Sequence, residues 1–186
     1  AGQPTTSALK AVHIEYCGAV AELYTRPLSA IVLEGLLRPQ MDTVNMVNAP
    51  VLARERNIDL RETRVDCPSY YHTLMRVSVT TERQTRDVAG TLFNDQRLVQ
   101  IKGIELEAEL GPHMLYVTNE DKPGFIGALG SALGNAGVNI ATFHLGRAQR
   151  GGDAIALIQV DEPISEAVLA QVRALPHVVQ AQSLSF

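Results

Sequence analysis

The chain has 186 residues, 46% of them apolar, and a formal net charge of −4. That length suits one medium domain or two small ones, and the apolar fraction excludes a disordered chain. The negative balance excludes the basic face of a nucleic-acid binder, and no apolar run approaches the roughly 18 residues of a transmembrane helix. Cys17 and Cys67 are the only cysteines. Far apart and without metal-ligand spacing, they read most simply as reduced, half-buried thiols of a cytosolic protein. The N-terminal AGQPTTSALK lacks the basic-then-apolar layout of a signal peptide and reads as a linker. The chain is therefore expected to be a piece of a longer polypeptide, cut at a domain boundary.

In chain order, 11–17 (AVHIEYC) alternates Val12, Ile14 and Tyr16 against His13 and Glu15, the pattern of a half-buried strand. Thr25 as N-cap and Pro27 in the first turn predict a helix with Leu28, Ile31, Val32 and Leu36 at helical spacing, ended by Arg38-Pro39. A short extended piece at 44–47 is expected next. Asn48-Ala49-Pro50 then opens a helix that turns Leu52 and Ala53 inward. From Ile58 the pattern becomes β. Strands are predicted over 58–65, 73–81 and 83–93, with a break at Cys67-Pro68-Ser69 and a bulge at Gly90. Asn94-Asp95 and Lys102-Gly103 are hairpin-turn signals flanking strands at 98–101 and 104–106. Helices early and strands late make this part α+β.

Gly111-Pro112 is the predicted domain boundary. After it, a strand at 114–118 leads into polar Asn119, Glu120 and Asp121. Pro123 and Gly124 open a helix, Gly137 follows its last turn, and Asn139 precedes a second strand. Phe125, Ile126, Leu129, Ala132, Leu133 and Ala136 form its apolar face, with Gly127, Gly130 and Gly134 in a neighbouring stripe. Interior glycines cost about 0.5–1 kcal/mol each relative to Ala. They imply either a close approach or a tolerated solvent-facing edge. A strand at 154–160, a helix capped by Ser165 and a strand at 178–184 complete a βαββαβ order, the ferredoxin-like plan. Two helices would cover one sheet face. The other face must be polar or covered by another chain or domain.

No catalytic motif is present. The glycines of LGSALGNAG lie inside the helix with the wrong spacing for G-x-G-x-x-G, so dinucleotide binding by this chain is rejected. There is no H-E-x-x-H, C-x-x-C or G-x-S-x-G, and no metal site is expected. Seven arginines between Arg54 and Arg86, interleaved with acids, read as a salt-bridged sheet face or, alternatively, an anion site. The loop from Asn119 to Pro123, together with Asn139, is the candidate small-ligand site. Asp121 is able to accept from an ammonium, an Asn amide to donate and accept, and N–H groups at the helix start to hold a carboxylate. The alternative is that Asp121 and Asn139 only cap their own turns.

Asp121-Lys122-Pro123-Gly124, the helix after it and Gly137-Val138-Asn139-Ile140 resemble an ACT domain, the regulatory amino-acid-binding module, and most closely that of D-3-phosphoglycerate dehydrogenases. Glu22 to Leu28, Val47-Asn48-Ala49-Pro50 and Gln100-Ile101-Lys102-Gly103 resemble the allosteric substrate-binding (intervening) domain of the long form of that family; a similar domain occurs in iron–sulfur serine dehydratases. The resemblance implies an intervening domain over 1–111 and an ACT domain over 112–186. It implies that L-serine binds across a two-chain ACT interface, through Asn119, Asp121, Pro123, Gly124 and Asn139, for feedback inhibition. Arg97 matches a basic position of the family's anion site, with Lys102 nearby; the second basic position is Glu109 here. Lys122 stands where Arg is common, and Asn119 where a Tyr or His often contacts serine.

The expected whole is thus a cytoplasmic C-terminal regulatory fragment of an NAD-dependent enzyme of serine biosynthesis. Catalytic and NAD-binding domains lie outside it, no cofactor or catalytic residue lies within it, and it associates with itself as a dimer or tetramer. A ligand-independent oligomerisation module and the regulatory part of an L-serine dehydratase are the alternatives.

Overall fold

The computed structural model describes residues 8–66, 71–93 and 95–186. The chain divides into two compact units, Ala1–Phe93 and Asn94–Phe186, both mixed α and β.

In the first unit, β1 (Leu9–Gly18) leads through α1 (Arg26–Leu37) and α2 (Ala49–Glu55) to β2 (Asp59–Val65), followed by β3 (Thr73–Thr81) and β4 (Thr85–Phe93). β1 pairs in parallel with β2 and antiparallel with β3, and β3 pairs antiparallel with β4. A parallel pair needs a crossover, which the two helices supply. The alternation read in β1 holds: Val12, Ile14 and Tyr16 are buried against Leu33, Leu37, Ala49 and Ala53. Each fully buried Leu or Ile stabilises the fold by roughly 1.5–3 kcal/mol. On the opposite face of β1, His13 meets Thr63 at 2.8 Å and Glu15 pairs with Arg76 at 3.1 Å.

Four local expectations change. The expected extended piece at 44–47 is not a strand but runs into a turn over 45–48, because Asn45 Oδ1 accepts from Val47 and Asn48 N–H while Asn48 Oδ1 accepts from Asn45 N–H. Such side-chain bonds offer the backbone an alternative to a ladder. Thr25 occupies the N-cap position of α1 without capping it; its hydroxyl accepts instead from Arg64 at 3.4 Å. Gly90 pairs regularly with Met75, so β4 has no bulge there. Cys17 is buried and disulfide-bonded, not a reduced thiol. Sequence separation hides the parallel pairing that sets Cys17 level with Val65. The thiol reading of Cys67, the break at Cys67-Pro68-Ser69 and the turn position Asn94 lie outside the described residues.

The second unit begins with a hairpin, β5 (Asp95–Ile101) and β6 (Ile104–Glu109), turned by Lys102 and Gly103 at φ 50° and 73°. Then come β7 (His113–Glu120), α3 (Phe125–Asn135), β8 (Ile140–Arg147), β9 (Asp153–Val160), α4 (Glu166–Arg173) and β10 (Val178–Ser185). The predicted βαββαβ order is present, with four strands in the order β10-β7-β9-β8, all antiparallel. Ser165 caps α4 as expected, accepting from Val168 N–H.

One sheet face carries the two helices: Leu115, Val117, Ala156 and Ile158 pack on Phe125, Leu129, Leu133, Leu169 and Val172. The other face is covered within the unit by the hairpin, where Ile104, Leu106 and Ala108 meet Met114, Tyr116, Ile155 and Leu157. A close approach makes this possible. A Cβ on Gly146 of β8 would lie 2.4 Å from the Glu105 carbonyl oxygen of β6. The helical glycines Gly127, Gly130 and Gly134 instead face open space. The packing therefore joins β5 and β6 to the second unit, although the sequence pattern puts them before the boundary at Gly111-Pro112.

Candidate effector-binding site

β7 runs further than its apolar residues suggest. Asn119 and Glu120 stay in the ladder because β10 and β9 pair with Asn119 from either side, and Asp153 of β9 pairs with Glu120. Beyond them the loop is pinned: Asp121 N–H donates to Gly152 O at 2.8 Å, and Lys122 N–H donates to Glu120 O at 2.8 Å. Pro123 lies before α3, not in its first turn. The chain enters the helix through Gly124 at φ 92°, a left-handed conformation that L side chains rarely adopt.

The Asp121 carboxylate is held by two donors from the end of β8 and the turn after it. Its Oδ2 accepts from Arg147 Nη1 at 2.9 Å and from Gly151 N–H at 3.0 Å. The Gly151 N–H and then the Arg147 guanidinium keep its pKa below the ordinary carboxylate value. Asp121 opens onto a cavity of about 500 Å³, also lined by Lys122, Pro123, Gly124, Ile126, Arg147 and Arg150. Ile126, assigned by its spacing to the buried face of α3, is 54% exposed and forms part of this rim.

Asn139 lies at the opposite end of α3. Its Nδ2 donates to Asp161 Oδ2 at 2.6 Å, and it lines a separate cavity of about 300 Å³ with Asp161, Glu162 and Ser165. The 11 residues of α3 at a 1.5 Å rise span roughly 16 Å. Asp121 and Asn139 of one chain therefore do not meet around one small ligand. Asn119 sits beneath the loop, 3% exposed. Its Nδ2 donates to Glu120 O at 2.8 Å, while its Oδ1 is buried with no hydrogen-bond partner.

The structure thus brings Asp121, Pro123 and Gly124 together, sets Asn119 behind them and places Asn139 elsewhere. Arg147 and Arg150 belong to the same cavity, and no sequence motif singles them out. The available signal is a basic pair beside Gly151-Gly152, at a strand end two crossings away from the loop. The anion-site pair does not converge. Arg97 is level with Glu109 in the hairpin, whereas Lys102 is in its turn with Nζ over the Tyr116 ring, 5.7 Å from the centroid. They are five positions apart, roughly 16 Å of extended chain.

Comparison with known families decides the chain's kinship. A sequence profile of the D-3-phosphoglycerate dehydrogenase intervening domain matches residues 1–102, more than half of the chain, and an ACT-domain profile matches residues 113–177. The chain belongs to the D-3-phosphoglycerate dehydrogenase intervening-domain family. Its ACT domain is the ferredoxin-like part of the second unit. A D-3-phosphoglycerate dehydrogenase of Bacillus subtilis is 33% identical over 174 residues, covering 92% of this chain and 33% of that protein. Those of Archaeoglobus fulgidus and Methanocaldococcus jannaschii are 30% identical over 178 residues and 27% identical over 169. The chain spans about a third of the length of these relatives. Among the described residues, no helix is long and apolar enough to cross a membrane.

Proposed function

We propose that this chain is the C-terminal regulatory part of an NAD-dependent D-3-phosphoglycerate dehydrogenase, and that its ACT domain binds L-serine between two copies as a feedback signal. The observation that carries the two-chain reading is the separation of Asp121 and Asn139 at opposite ends of α3. One serine reaches both only if they come from different chains, Asp121 taking the ammonium and an Asn139 amide another of its polar groups. Serine then favours whichever arrangement of the parent enzyme binds it better, and slows the reaction by that difference in affinity. Oxidation of 3-phosphoglycerate and the holding of NAD fall to domains outside this chain.

A ligand-independent dimerisation module is the second reading. What favours it is that both residues already have partners within the chain, Asp121 with Arg147 and Asn139 with Asp161. Titration calorimetry of the chain with L-serine, paired with sedimentation, separates the two. Heat of binding that Asp121→Ala or Asn139→Ala abolishes supports the effector site. A dimer that neither warms nor changes with millimolar serine supports the structural role.

A further inference from the structure

If serine binds at Asp121, its ammonium must reach a carboxylate that already holds the Arg147 guanidinium. Resting on that serine reading, we propose that Arg147 is a ligand-contacting residue of this site. It occupies Asp121 in the empty protein and turns to take the effector's carboxylate when the effector's ammonium displaces it. The site would then admit α-amino acids as zwitterions, inserted into an existing ion pair.

Geometry and charge point the same way. Arg147 is the last residue of β8, and its guanidinium is 2.9 Å from Asp121. The Arg147 side chain is 55% exposed and that of Asp121 only 22%. The arginine end of the pair is therefore free to swing without a large desolvation cost, while Asp121 stays fixed by Gly151 N–H. The turn that carries Gly151 is itself held, by Ala148 N–H to Asp153 O at 2.9 Å and Gly152 N–H to Gln149 O at 3.0 Å. The same cavity is lined by Lys122, Arg147 and Arg150 against the single carboxylate of Asp121. A pocket of that charge favours a ligand bearing an anion. A planar guanidinium matches a carboxylate in a bidentate fork.

An α-amino acid carries both charges on one carbon, so it replaces each half of the broken pair at once. An amine without a carboxylate exchanges one cation for another and leaves Arg147 without compensation. A hydroxy acid lacks the group that would release Arg147 from Asp121.

The test is calorimetry of the 186-residue chain with L-serine, ethanolamine and glycerate, for the wild type, Arg147→Gln and Arg147→Lys. The wild type is expected to bind serine and neither analogue. Arg147→Gln should weaken serine by about tenfold, the loss of a charge-assisted hydrogen bond. Because it frees Asp121, it should also bind ethanolamine more tightly than the wild type, a reversal that a merely structural Arg147 would not produce. Arg147→Lys should retain part of the serine affinity. Two results would overturn the exchange while sparing the serine site: Arg147→Gln binding serine as tightly as the wild type, or glycerate binding the wild type as tightly as serine. A wild type that binds glycine or L-alanine, titrated alongside, but not serine supports the exchange and removes serine as the effector. Binding of no α-amino acid at all overturns both readings.

Discussion

Gly146 offers the sharpest check on how the ACT sheet is covered. In Gly146→Ala the new methyl would sit 2.4 Å from the Glu105 carbonyl oxygen, 3.0 Å from Ile104 Cγ2 and 3.1 Å from Leu106 Cβ. The nearest atom is backbone within the β5–β6 hairpin, so no rotamer change relieves the clash. Relief requires β6 to lift from a face where Ile104, Leu106, Met114 and Leu157 are buried. Overpacking of this kind costs about 1–3 kcal/mol, and the backbone contact puts the expected value in the upper half of that range. At an m-value of about 2 kcal/mol/M, the urea midpoint of the second unit should fall by about 1 M. The control is Gly130→Ala in α3, where a methyl meets nothing within 4 Å. There the helix should gain about 0.5–1 kcal/mol. Urea unfolding followed by circular dichroism measures both. Equal midpoints for Gly146→Ala and the wild type, or a greater loss in Gly130→Ala, would refute the close-packing argument.

Single groups give two further outcomes. The Asp121 carboxyl has a folded pKa below its ordinary 3.8, so its contribution is full above that value and is lost as pH falls toward the folded pKa. Melting temperatures taken from about pH 6 to about pH 2 should show this acid-side loss in the wild type and a shallower one in Asp121→Asn; parallel curves would contradict it. Tyr16 is fully buried, with its hydroxyl 2.7 Å from Ser29 Oγ, so Tyr16→Phe should cost about 1–2 kcal/mol in denaturant unfolding. Burial raises the Tyr16 pKa above 10.0. Its contribution is thus present below pH 10 and lost as pH rises toward the folded pKa, and the Phe variant should lack that alkaline loss.

Much of the second unit is legible in the sequence because its signals are local. Ser165 caps α4 through a bond to a residue three positions on. Lys102-Gly103 turns a hairpin by its own backbone angles. Val168, Leu169, Val172 and Leu175 sit at helical spacing and do pack on the sheet. The pattern misleads where a polar side chain or a strand neighbour overrides it. Asn45 and Asn48 bond to nearby N–H groups and make a turn where Val44, Met46 and Val47 suggest an extended piece. Asn119 reads as loop by its polarity, yet neighbours on both sides keep it in the sheet.

By itself, the sequence determined the βαββαβ order of the ACT half, the inward alternation of β1, the ACT loop and the residue types at the candidate site. Each of these depends on neighbours within a turn or two of the chain. Tertiary structure alone decided which groups meet. Arg147 reaches Asp121 across 26 positions, and Asp161 reaches Asn139 across 22. The hairpin closes the sheet's second face over a glycine that carries no periodic signal. Such contacts are set by how strands pair and layers stack, and a one-dimensional pattern records neither. The loop chemistry is therefore readable from the chain alone, while its occupied carboxylate is not.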